Sequence, residues 1–127
     1  IVWWDKANAV HLGGLFYSGG YPFIDLGSGG SLAGVVAAIE QVLARADAKT
    51  VVIPGHGPVS SRADLAASRD MLVAVGRRVR QLVEDGTSEE QIVASHPTVE
   101  FDERYGKGAV DPDRFVQILY ADFSGGR

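Results

Sequence analysis

Val51-Val52-Ile53-Pro54-Gly55-His56-Gly57-Pro58-Val59 is the stretch whose reading decides the fold. Its β-branched start predicts a short buried strand, and Pro54 predicts the strand's end. A lone histidine follows between two glycines, closed by a second proline. Glycine lets the backbone turn tightly and lets another group approach closely. An imidazole offered at a strand tip suits a metal ligand. It equally suits a histidine that caps a strand or bonds a turn carbonyl, and the local pattern leaves both open.

Helical patterns flank this strand. Ser31 is the predicted N-cap of a helix in which Leu32, Val35, Val36, Ile39, Val42, Leu43 and Ala46 recur at helical spacing. Beyond the histidine turn, Ser60 or Ser61 caps a long helix reaching about Glu84. Its apolar stripe is Leu65, Leu72, Val75, Val79, Leu82 and Val83, and Gly86 ends it. Ser88 with Gln91 forms a capping box for a short helix that stops before Pro97. Asp111-Pro112 opens a last helix with Phe115, Val116, Leu119, Tyr120 and Phe123 on its apolar face.

Upstream, residues 1–4 and 8–12 predict a hairpin with turn residues between its strands. Residues 13–30 hold seven glycines and predict a long loop, of a length that is usually functional or mobile. The predicted order is β-β-loop-α-β-α-α-α. It describes an α/β protein with α+β layering, a small sheet covered by amphipathic helices. Three strands are few for such helices, so the helices must cover something larger.

Bulk properties narrow the function. A length of 127 residues fits one domain or part of one. With 46% hydrophobic and 22% charged residues the chain is globular rather than disordered. A net charge of -4 argues against a nucleic-acid surface. Arg77, Arg78 and Arg80, beside Glu84 and Asp85, predict a solvated helix face rather than a phosphate patch. The absence of cysteine removes disulfides and thiolate metal sites, and suits cytoplasm and periplasm alike. No apolar run is long enough to span a membrane. Strand character from Ile1 onward, with no initiator methionine, leads us to expect the remainder of a longer protein.

Other chemistry is sparse. Gly27-Ser28-Gly29-Gly30-Ser31 precedes a helix N-terminus that could hold an anion. It lacks the Lys-Ser/Thr ending of a P-loop, and Leu32 stands where a dinucleotide fingerprint needs its third glycine. His11, His56 and His96 lie too far apart for a paired ligand motif. His11 is expected to be packed or hydrogen-bonded, and His96 to complement a helix end. Asp25 either orients a loop through backbone N–H groups or faces a pocket.

Val10-His11-Leu12-Gly13-Gly14-Leu15-Phe16, Tyr21-Pro22-Phe23-Ile24-Asp25, Gly29-Gly30-Ser31, Pro54-Gly55-His56-Gly57-Pro58 and Asp111-Pro112-Asp113-Arg114-Phe115-Val116 occur in that order. Together they resemble the metallo-β-lactamase-fold hydrolases, in particular a bacterial subgroup labelled cyclase-like or quinoprotein-relay zinc hydrolases. The resemblance implies an αββα sandwich with metals between two sheets, of which this chain, as one partial domain over residues 1–127, matches the C-terminal half. The family's His-x-His-x-Asp-His motif and its next histidine would lie upstream of residue 1. The resemblance further implies zinc as cofactor, a small-molecule substrate, and hydrolysis of an ester, lactam or thioester type of bond. His56 is the one metal ligand it carries over. The bridging aspartate falls on Gly14, which has no side chain to offer. Tyr21, Phe23 and Asp25 would border the substrate site.

Catalytic zinc takes three protein ligands and a water that it polarises, so the chain by itself is expected to be inactive. The alternative is a degenerate, non-catalytic domain kept for packing or partner binding. A half-sandwich exposes an apolar sheet face, to be covered by the missing half or by self-association.

Overall fold

The computed structural model describes residues 1–125. Among them run β1 (Val2–Trp4), β2 (Ala9–Tyr17), α1 (Leu32–Arg45), β3 (Val51–His56), β4 (Ser60–Ser61), α2 (Arg62–Glu84), α3 (Glu89–Ala94), α4 (Asp102–Tyr105) and α5 (Pro112–Phe123). The strands form one mixed sheet in the order β1-β2-β3-β4. Its central pair, β2 and β3, is parallel, and both outer pairs are antiparallel. The chain is therefore a mixed α/β protein.

Local chemistry starts the helices where the sequence predicts. The Ser31 hydroxyl accepts the Gly34 N–H at 3.0 Å. Ser61 and Ser88 each close a capping box, with Asp64 and Gln91 respectively. Asp111 caps α5, with Pro112 in its first turn. Such caps contribute about 0.5–2 kcal/mol each.

One face of the sheet carries the core. Val10, Leu12 and Phe16 of β2 and Val52 of β3 pack with Val35, Ile39 and Val42 of α1, Leu65, Leu72 and Val75 of α2, and Phe115 and Leu119 of α5. Each such side chain contributes roughly 1.5–3 kcal/mol on burial. Gly76 lets α1 and α2 close, since a Cβ there would meet Leu32 Cδ2 at 2.5 Å.

The other face is open. Cross-strand partners share a face, so Trp4, Ala9 and Val51 form one row and Val2, His11 and Ile53 the next. Val2 is 53%, Trp4 47% and Val51 39% exposed.

The structure corrects several boundaries. β2 continues to Tyr17 and takes in the start of the expected loop. Pro54 does not end β3, which runs on to His56. Pro54 pairs with Gly13, where the β2–β3 register shifts. Proline is tolerated in a sheet at such a bulge because the ladder is already interrupted there. The two-residue β4 and the one-turn α4 are additional to the predicted order. Arg77, Arg78 and Arg80 are exposed, as expected of a solvated helix face. Arg78 leaves Glu84 and Asp85 aside and binds Glu100 through two nitrogens, at 2.5 and 2.6 Å, plus the Pro97 carbonyl at 3.0 Å.

Candidate functional site

Parallel pairing sets the C-terminal ends of β2 and β3 side by side, and ligands of open α/β sheets bind at the carboxyl ends of strands. Two close backbone approaches lock these ends together. A Cβ on Gly55 would collide with the Gly13 carbonyl and come within 3.1 Å of the Gly14 nitrogen. A Cβ on Gly57, whose φ is +93°, would collide with the Ser18 carbonyl. The Ser18 N–H donates to the His56 carbonyl at 2.9 Å. Both glycines of the opening motif are thus required by what they touch.

His56 is exposed, and its ring stacks on Tyr17, with centroids 4.7 Å apart and planes inclined by 23°. The Ser60 hydroxyl donates to the Pro58 carbonyl at 3.1 Å and shares a short hydrogen bond with the Ser18 hydroxyl. Gly14 lies beside this turn, exposed, and a Cβ built on it meets no atom within 4 Å.

These residues do not fit a complete zinc centre. His56 supplies an imidazole and Gly14 supplies nothing, while the neighbouring hydroxyls of Ser18 and Ser60 bond each other. Among the described residues, no three His, Cys, Asp or Glu side chains are grouped so as to hold a metal ion. What the arrangement offers is one accessible imidazole on a rigid, backbone-locked turn beside an open position.

The other sequence-derived candidates lie elsewhere. Tyr21 is a core residue, 1% exposed. Its hydroxyl donates to Asp102 at 2.7 Å and its ring stacks on Phe115 at 4.7 Å. Burial, with the bond to Asp102, raises its phenol well above the ordinary range. Phe23 is exposed, with the Arg114 guanidinium 5.7 Å from its ring centre. Asp25 takes the loop-orienting role, accepting the Ser28 N–H at 3.3 Å and the Ser28 hydroxyl at 2.9 Å. Among the described residues, none of these three makes a hydrogen bond or ring contact with the His56 turn. His96 follows the C-cap of α3 with φ +52° and is exposed.

The start of α1, just after the glycine-rich segment, already holds a carboxyl group belonging to the chain itself. Asp122, 3% exposed, accepts the Leu32 N–H at 2.8 Å at the start of α1. A bound phosphate would compete with this carboxylate. Asp122 was missed in the sequence, although a carboxylate in line with Phe115 and Leu119 on an apolar helix face is itself a signal. Tyr17, Ser18 and Ser60 were missed as well. Tyr17-Ser18 just ahead of Gly19-Gly20 was the only local cue to a strand end there.

No protein-family model, curated protein or solved structure matches the chain.

Proposed function

We propose that this chain is the His56-bearing, C-terminal half of a metallo-β-lactamase-type hydrolase, acting on an ester, lactam or thioester type of bond in a small molecule. A second sheet covers the open face and brings the remaining metal ligands. The observation that carries the reading is the β2–β3 pairing, with Gly14 and the His56 turn in contact at the carboxyl ends of two parallel strands. This is the relation that the motif resemblance requires of a bridging aspartate and the last histidine ligand. The rows Trp4–Ala9–Val51 and Val2–His11–Ile53, apolar except at His11, support it, because they suit a second layer.

Gly14 favours a second reading, a degenerate domain that keeps the fold and has lost the metal. Both readings make the isolated chain inactive. Zinc-dependent hydrolysis of a nitrophenyl ester by this chain, lost in His56→Ala, would overturn both. The two part at Gly14→Asp, which recovers zinc affinity only where the rest of the strand-end geometry remains competent.

A further inference from the structure

The backbone at the end of β2 departs from regular strand geometry, and one side chain accounts for how it is held. Gly13 sits at φ +58° between two shifts of the β2–β3 register. Its N–H donates to Nδ1 of His11, two residues earlier, at 2.9 Å. Asn and Asp side chains make the same bond to the backbone two residues on when they stabilise a turn. Here an imidazole does so inside a strand.

We infer that His11 is the positioning residue of the His56 turn. The His11 bond holds Gly13 in its left-handed conformation. The Gly13 carbonyl, so directed, lies against Gly55, where a side chain would not fit. Gly55 adjoins His56, whose ring rests on Tyr17. His11 thus acts through Gly13 and Gly55 and touches no ligand itself. The inference rests on the proposed function only in taking the His56 turn as the site.

The bond also selects a chemical form. Nδ1 accepts only when it carries no proton, so the neutral imidazole here is the Nε2–H tautomer. The strands packed against His11 present Val2 from β1 and Ile53 from β3, neither of them charged. Among the described residues no ion pair involves His11. The Gly13 N–H is therefore the specific interaction that protonation of His11 removes.

Nuclear magnetic resonance on the whole chain tests this without metal or substrate. As the solution is acidified, the Gly13 amide signal is expected to move together with the His11 ring signals. Its exchange protection should fall by roughly fivefold, the equivalent of about one net hydrogen bond. His11→Phe, which lacks the acceptor, is expected to weaken the Tyr17–His56 ring contacts. His11→Asn, which keeps an acceptor for the Gly13 N–H, is expected to restore them. A Gly13 amide that ignores the His11 titration overturns the inference, and so does a Phe variant with the ring contacts intact. Should the Phe variant not fold, the titration of the unmodified chain still decides. A Gly14→Asp variant that gains no zinc affinity would count against the proposed function and leave these readouts unchanged.

Discussion

Gly13 and Gly14 are adjacent, yet they tolerate side chains differently. Gly13 needs a left-handed backbone, whereas Gly14 has an ordinary φ and open space where a Cβ would go. Gly13→Ala is expected to cost about 1–2 kcal/mol. Gly14→Ala should stay within about 0.5 kcal/mol. Urea denaturation of the two variants checks the contrast. Two buried tyrosines form a second pair. Tyr21 donates to Asp102, so Tyr21→Phe should cost about 1–3 kcal/mol. The Tyr105 hydroxyl has no hydrogen-bond partner among the described residues, so Tyr105→Phe should be neutral or stabilising. Burial raises both phenols above the ordinary tyrosine range. Folding therefore favours their neutral forms. The stability they contribute is complete below about pH 10 and declines as pH rises toward the folded-state values. The Phe double variant should flatten that alkaline decline, as read from denaturation midpoints across pH.

The elements show what the sequence made legible. Each helix start predicted from Ser31, Ser61, Ser88 or Asp111 is present, because a cap is a contact over three residues and its chemistry is local. The course of β3 was not legible. Pro54 normally ends a strand, and what permits it here is the bulge at Gly13, a partner remote in sequence. β4 is too short to show a period of two. In the site, the Gly-His-Gly turn was visible as a pattern, but the contacts that require its glycines come from Gly13 and Ser18 on another strand. Asp122 is the clearest long-range device, tying α5 to the first turn of α1. Removing a buried acceptor at a helix N-terminus costs the bond and leaves the N–H unpaired, so Asp122→Ala is expected to lose about 1–3 kcal/mol. Chemical denaturation measures it. A loss below about 0.5 kcal/mol, the level of an ordinary surface substitution, would show that the cap is dispensable.

At the scale of the whole molecule, helices shield one face of the sheet and leave Val2, Trp4 and Val51 exposed on the other. Contiguous apolar surface of this kind drives association. The chain at high concentration is expected to self-associate in sedimentation velocity runs, and Trp4→Lys on the open face should reduce that association. A monomer that binds no hydrophobic dye would count against an uncovered sheet. The proposed metal site belongs to this scale too, since β2 and β3 provide one imidazole and an empty neighbour, and the proposed function draws the further donors from a second layer. Zinc competition against a chromophoric chelator reads this most directly, applied to the unmodified chain, to Gly14→Asp, and to Gly14→Asp combined with His56→Ala. The unmodified chain should hold less than one tightly bound zinc per molecule. Gly14→Asp should tighten zinc binding by at least about tenfold, and the gain should vanish when His56 is also replaced. Gly14→Asp that gains no affinity, or a gain that survives His56→Ala, would contradict a metal-ligand position at the ends of β2 and β3.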